Sequence, residues 1–137
     1  MKAAALLLAL AAPAAAQIVG GPVGSGRGML QFGQPVAGGF LTSITPVHQS
    51  TAAWCAVSLA LAPLPWPVPG VAGVAYLEPL ALVSLEPAQL GGSGAEWLYR
   101  REIPAGVATL GVIVCTQFVT LEPTGLLLSQ GWTTPLQ

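Results

Sequence analysis

The two cysteines are the residues with the clearest chemical potential in this sequence. In a strand over 53–62, Cys55 lies on the same side as several aliphatic residues, and so does Cys115 in a strand over 108–121. Both thiols are therefore expected to face one core, where a disulfide would add about 4 kcal/mol in the chain-entropy model. An oxidising environment outside the cell would favour this bond. Two separate buried thiols, packed as small apolar side chains, are the alternative.

Groups for acid–base, nucleophilic or metal chemistry are scarce. The chain has no Asp, its only Lys is Lys2, and its only imidazole is His48. A lone histidine in a loop such as PVHQST is expected at the surface, and alone it does not make a metal site. Glu96 and Glu102 would lie about 20 Å apart on one strand face, beyond the roughly 5–9.5 Å that separates paired catalytic carboxylates. We therefore predict no enzyme activity, no metal site and no cofactor.

Tryptophan is frequent for a chain of this size, with four residues. Exposed Trp and Tyr side chains on a β-sandwich stack on sugars or form hot spots for protein partners. Trp66, held between prolines in a turn, and Trp132, in the last strand, are candidates for contact with a ligand or partner. The alternative is a structural role, in which Trp97 and Tyr99 fill the core and Trp54 lies under a loop.

Composition bounds the class of protein before any element is placed. The chain has 137 residues, of which 7% are charged and 53% are hydrophobic. This length suits one domain with a core of its own. A disordered chain would need low hydrophobicity and high net charge, which is the reverse of this composition. A nucleic-acid-binding protein would need a basic surface, and this chain has only four Lys and Arg residues against five Glu. The sequence thus predicts a single folded domain that binds no nucleic acid.

Residues 1–16 have the pattern of a secretory signal peptide. Lys2 gives the positive start, an apolar run of about ten residues follows, and small residues precede a cleavage site near Ala16. We expect the mature chain to be secreted, periplasmic or at the cell surface. A second uncharged stretch, 52–77, is long enough to cross a membrane, but alternate prolines from Pro63 to Pro69 are incompatible with a helix there. The mature chain is therefore expected not to span a membrane.

The mature chain consists of short β-rich runs cut by glycine and proline. Residues 17–28 are Gly-rich and predict a flexible leader, followed by a single domain over 29–137. The pattern predicts an all-β fold, an antiparallel two-sheet β-sandwich of about seven or eight strands. The strands are expected at 29–33, 40–46, 53–62, 71–77, 80–86, 95–103, 108–121 and 125–134.

Three local patterns refine this prediction. Strand 95–103 alternates most clearly, with Trp97, Tyr99 and Ile103 on one face and Arg101 joining them at the strand end. The tripeptide Leu-Glu-Pro occurs three times, and each copy is predicted to end a strand with its Glu turned outward. The two cysteine-containing runs are apolar on both faces, so either both faces are covered or the outer one is an interaction surface.

The closing part of the chain has a characteristic order of turns and strands. It begins with an Ile-Pro turn at Ile103 and Pro104 and a Leu-Gly pair at Leu110 and Gly111. An apolar strand that contains Gln117 follows, then an acidic-Pro turn at Glu122 and Pro123, and finally a short strand that contains Ser129. In this order the segment of about 39–136 resembles the C-terminal β-sandwich domain found in uncharacterised exported bacterial proteins. The resemblance implies a sandwich fold and secretion, and it implies no activity. The chain departs from it at Cys115, where an aromatic is commoner, and at Gly131-Trp132.

Low charge, combined with strands that are apolar on both faces, is typical of an assembling or partner-binding module. We therefore predict a secreted, non-enzymatic β-sandwich module with a structural, adhesion or partner-binding role. A protein partner or self-assembly is favoured over a glycan. A carbohydrate-binding module that uses Trp66 and Trp132 is the alternative, and a small secreted hydrolase is the least favoured.

Overall fold

A computed structural model describes residues 17–137, and the predicted signal peptide lies outside them. These residues form twelve strands and one short 3₁₀ turn at Pro79–Ala81, with no α-helix in this part of the chain. The strands are β1 Gly21–Val23, β2 Leu30–Gln34, β3 Phe40–Pro46, β4 Ala52–Ser58, β5 Leu61–Trp66, β6 Val71–Ala72, β7 Ala75–Leu77, β8 Leu82–Pro87, β9 Gln89–Leu90, β10 Glu96–Glu102, β11 Ile113–Glu122 and β12 Gly125–Pro135.

The strands form two sheets that pack face to face, which confirms the predicted β-sandwich. The first sheet has the order β2-β3-β10-β9, and all its pairs are antiparallel. The second sheet has the order β1-β12-β11-β4-β8, with the short β6 parallel to the start of β12. Strands β5 and β7 pair with each other outside these sheets, and we call residues 61–77 the arm.

Alternation along β10 places its side chains as the sequence predicts. Trp97 and Tyr99 are buried between the sheets, and Ile103 follows them into the same core. The indole nitrogen of Trp97 donates to the Ser50 hydroxyl at 2.7 Å, so its one polar atom is satisfied inside the protein. Arg101 lies at the strand end on the same face, where its guanidinium reaches the edge of the second sheet. The apolar face of β10 is thus a core face.

A buried polar network joins the two sheets through the core. The side chain of Gln31 accepts from the hydroxyls of Ser43 at 2.7 Å and Thr116 at 3.0 Å. Its amide nitrogen donates to the Thr134 hydroxyl at 2.6 Å. These residues come from β2 and β3 on one side and β11 and β12 on the other, and all four are buried. Because each member has a partner, the network fixes how the sheets sit together without leaving a polar group unsatisfied.

The segment 17–28 differs from the predicted flexible leader. Ile18 forms a bridge with Phe32 at the edge of the first sheet, and β1 then pairs with β12 at the edge of the second. Further along, Arg27 bridges to Ser129. Glycine composition suggested flexibility, but the backbone N–H and C=O groups of this segment are used in sheet pairing. The segment is therefore an edge strand of the sandwich and crosses from one sheet to the other.

The three Leu-Glu-Pro copies end strands as predicted. They lie at the ends of β7, β8 and β11, at 77–79, 85–87 and 121–123. In the second copy Glu86 is 50% exposed but lies on the side of β8 that faces the first sheet, where Tyr99 and Arg101 donate to it. The outward turn of Glu is wrong for the third copy, because the Glu122 side chain is only 7% exposed and pairs with Arg27 at 2.6 Å. This ion pair ties the N-terminal segment to the β11–β12 turn.

Candidate functional site

The predicted disulfide is not formed, because Cys55 and Cys115 lie on opposite faces of the second sheet and both are free. Cys55 pairs in register with Phe118, and both side chains are buried between the sheets. Cys115 pairs with Ser58 and faces the outside of the sheet, beneath the connection from β4 to β5. Burial raises the pKa of both thiols, that of Cys115 to about 11. The structure therefore has two separate buried thiols, as in the alternative to the disulfide.

The reason for this error lies in β11. Its core-facing side carries Val114, Thr116, Phe118 and Thr120, while the more aliphatic side, which includes Cys115, faces outward. The threonine hydroxyls are accommodated in the interior by hydrogen bonds. The more apolar face of this strand is therefore not the one that faces the core.

Neither tryptophan that the sequence offered as a contact residue presents a free ring. Trp132 is buried in the core, and its indole nitrogen donates to the carbonyl of Val19 at 2.7 Å. Trp66 ends β5 instead of lying in a turn, and its indole nitrogen donates to the carbonyl of Leu77 across the arm at 3.1 Å. Trp66 is half-buried between the arm and the second sheet. Both rings hold the fold together.

Gln117 anchors the arm to the outer face of the second sheet. This buried side chain donates to the carbonyls of Val74 at 2.8 Å and Ser129 at 2.7 Å, and it accepts from the backbone N–H of Tyr76 at 3.0 Å. Tyr76 packs directly over Gly131, where a Cβ would lie 3.3 Å from the tyrosine Cβ. The arm therefore covers part of the outer face.

The uncovered part of the outer face is apolar, and we call it the open face. It is lined by Trp54 of β4, Leu85 of β8, Val119 of β11 and Leu126 of β12, around a depression of about 210 Å³. Trp54 and Val119 are neighbours in the β4–β11 register, on the side opposite Cys55. These four strands lie side by side, so the open face is about 14 Å wide across the sheet.

A covered space lies beside the open face, under the arm. A second cavity of about 170 Å³ shares Leu85 and Val119 with the depression and ends against Trp66 and Gln117. No charged side chain lines either space. The polar atoms of Gln117 are already bonded within the chain. What this surface can offer a partner is therefore contact with aromatic and aliphatic side chains.

Sequence reasoning missed Trp54 as a surface residue. The signal was present, because the run AWCAVSLALA is apolar on both faces and only one of them can face the core. The arm covers one part of the outer face and leaves another part open. A covered outer face, the first outcome foreseen for a doubly apolar strand, is thus found under the arm.

The titratable groups of the described chain form small clusters that link structural elements. The hydroxyl of Tyr99 donates to the Glu86 carboxylate at 2.7 Å, and Arg101 donates to the same oxygen at 3.1 Å. The hydrogen bond from Tyr99 is the main reason why the pKa of Glu86 lies below its usual range. Burial raises the pKa of Tyr99. This cluster joins β10 of the first sheet to β8 of the second.

The other candidates for chemistry are His48, Glu96 and Glu102. His48 is exposed in the loop between β3 and β4, as predicted, with its Nδ1 3.9 Å from the Glu122 carboxylate. Glu96 and Glu102 lie at the two ends of β10, opposite Pro46 and Phe40 of β3. Within residues 17–137 no three His, Cys, Asp or Glu side chains are grouped so that they could hold a metal ion.

A wider hollow of about 420 Å³ lies beside β2 and β3. Its lining includes Leu30, Ile44, Glu96 and Gln130, together with backbone of the β1–β2 connection. No aromatic side chain lines it, and its lining includes the acidic residue Glu96. The open face, with a tryptophan and no charge, is the better candidate for a binding surface.

Comparison with protein-family models, with curated proteins and with solved structures gave no match. The resemblance to exported bacterial sandwich domains therefore stays a prediction. No helix among residues 17–137 is long and apolar enough to cross a membrane.

Proposed function

We propose that this chain is an exported, non-enzymatic β-sandwich module that assembles through its open face, with a second copy of the chain as the partner. The observation that carries the proposal is an uncharged surface four strands wide, centred on Trp54 and Val119, on the outer face of the second sheet. Export rests on the signal-peptide pattern of residues 1–16.

The chemistry of the open face favours a protein contact. Tryptophan and leucine that are partly exposed on a rigid sheet lose little conformational entropy when they are covered, and their burial is the main source of affinity in protein interfaces. Because the face carries no charge, two copies meet on it without desolvating an ion or opposing like charges. A second copy is therefore an electrostatically compatible partner.

A glycan-binding role has less support. Stacking on sugar needs aromatic rings presented to solvent, and Trp66 and Trp132, the two rings suggested for it, are engaged inside the fold. Trp54 is the single aromatic residue on the open face, among aliphatic neighbours that offer no hydrogen bonds to hydroxyl groups.

The test compares two leucines of nearly equal exposure. Leu85 on the open face is 57% exposed, and Leu90 in the first sheet, away from that face, is 56% exposed. We expect sedimentation equilibrium to show concentration-dependent association of the wild type, loss of association in Leu85→Glu, and wild-type association in Leu90→Glu. A protein that stays monomeric at every concentration, or equal behaviour of the two variants, contradicts the proposal. Quenching of Trp54 fluorescence by a polysaccharide in a monomer would replace it with the glycan-binding role.

A further inference from the structure

We propose that the mature chain begins at Gln17 and that this glutamine cyclises to pyroglutamate, which leaves residues 17–137 without a primary amine. The inference rests on the export included in the proposed function, because cleavage after Ala16 exposes Gln17 as the first residue. It is independent of the open face.

The sequence makes the amine count unusual. Lys2 is the only lysine of the chain, and it lies within the predicted signal peptide. After cleavage the positive side chains are the guanidinium groups of Arg27, Arg100 and Arg101, which are not primary amines. The α-amino group of Gln17 is then the one primary amine within residues 17–137.

The structure leaves Gln17 free to react. Its side chain is exposed, and no hydrogen bond joins its amide group or its backbone nitrogen to another residue of the described chain. Its carbonyl oxygen accepts from the Gly33 N–H at 3.1 Å, and Val19 N–H donates to the Gln31 carbonyl at 3.0 Å. The backbone after residue 17 is therefore held at the edge of the first sheet while the terminal groups stay at the surface.

Cyclisation keeps the contact that Gln17 makes. The α-nitrogen attacks the side-chain amide carbon Cδ, the N–Cδ bond forms, and the Cδ–Nε2 bond breaks. The leaving nitrogen takes the α-amino proton and departs as ammonia, so the step needs no oxidant, reductant or cofactor. The cyclised residue retains the backbone carbonyl of Gln17, which accepts from the Gly33 N–H. Cyclisation also removes the positive charge of the α-amino group from the surface. Because the side-chain amide makes no bond within the described chain, its loss costs no native interaction.

The experiment uses the full chain, expressed with its own N-terminal segment in a bacterial host and recovered from the exported fraction. The intact mass is expected to match residues 17–137 less about 17 Da, the mass of ammonia. The denatured protein is expected to give no signal with fluorescamine, a reagent for primary amines. Gln17→Ala is the matched control: it leaves the small residues before the cleavage site unchanged, has no side-chain amide from which ammonia could be lost, and is expected to give the signal of one amine per chain.

The alternative outcomes separate this inference from the proposed function. A chain that begins at Gln17 but keeps the full mass and a reactive amine, even after a day of incubation near 37 °C, overturns the cyclisation and leaves export intact. A chain that retains residues 1–16 overturns both cyclisation and export. A chain that begins at another residue overturns the cyclisation alone. If the cyclised chain forms while Leu85→Glu associates as the wild type does, the proposed role of the open face fails and the inference stands.

Discussion

Replacing Gln117 with methionine tests whether a single buried amide holds the arm on the second sheet. Methionine has a similar volume, so the change removes hydrogen bonds with little change in packing. Three bonds are lost, to Val74, Ser129 and Tyr76. Each hydrogen bond contributes about 0.5–1.5 kcal/mol to the free energy of unfolding, so the three together contribute about 1.5–4.5 kcal/mol. The buried Tyr76 N–H loses its acceptor, which adds a desolvation cost of about 1–3 kcal/mol. Together these contributions span about 2.5–7.5 kcal/mol. Because single substitutions rarely cost more than about 4–5 kcal/mol, we expect a loss of about 3–5 kcal/mol in the free energy of unfolding.

Gln130→Met is the matched control. Gln130 is half-buried and its side chain makes one hydrogen bond, to the Met29 carbonyl at 3.2 Å, so the same substitution is expected to cost about 1 kcal/mol or less. Urea denaturation followed by circular dichroism gives both values, and hydrogen exchange of the Tyr76 amide reports opening of the arm directly. If Gln117→Met costs no more than Gln130→Met, or if Tyr76 exchange is unchanged, the anchoring role of Gln117 is refuted.

Two further predictions concern the cysteines and the Glu86 cluster. Because Cys55 and Cys115 are free and buried, a thiol reagent at neutral pH is expected to leave the folded protein unmodified. After denaturation without reductant, the same reagent is expected to titrate both thiols. A denatured chain with no free thiol would contradict the placement of the two cysteines on opposite faces of the sheet. The pKa of Glu86 is lowered in the folded chain, so its stabilising effect is present above the unfolded value of about 4.5 and is lost as the pH falls through the folded pKa. The hydrogen bond from Tyr99 is the main cause of the lowered pKa of Glu86. The urea midpoint is therefore expected to fall less between about pH 6 and about pH 3 in Tyr99→Phe than in the wild type. Equal falls would show that this hydrogen bond does not set the pKa of Glu86.

Local patterns in the sequence were sufficient for most of the longer strands and for one core face, although twelve strands form where about seven or eight were expected. Alternation in 95–103 identified Trp97, Tyr99 and Ile103 as core residues, because a strand directs successive side chains to opposite faces. The Leu-Glu-Pro copies marked strand ends, because proline cannot donate to a sheet. Both patterns depend on residues close together in the chain.

Features that depend on distant partners could not be obtained in this way. Gln31 reads as a surface residue until Ser43, Thr116 and Thr134 surround it, and these partners come from three other strands. The Gly-rich segment 17–28 reads as flexible until β12 supplies its hydrogen bonds. Pairing over such separations in the sequence is not encoded in local composition.

The candidate site was the hardest part to predict, because it depends on which apolar face is covered and by what. Trp66 was expected to be exposed and is half-buried, because the arm folds back onto the sheet through Gln117. Trp54 was expected under a loop and lies on the open face. The path of the arm decides both positions, and no local pattern in the sequence specifies that path.

The most direct test of the account is a footprint of the open face as the protein associates. Hydroxyl-radical oxidation followed by mass spectrometry measures the solvent exposure of individual side chains at low and at high protein concentration. We predict that Trp54 and Leu85 become protected as the concentration rises, while Leu90, which is equally exposed in the monomer, does not. Association with unchanged oxidation of Trp54 and Leu85, or with protection of Leu90 instead, would contradict the assignment of the open face as the assembly surface.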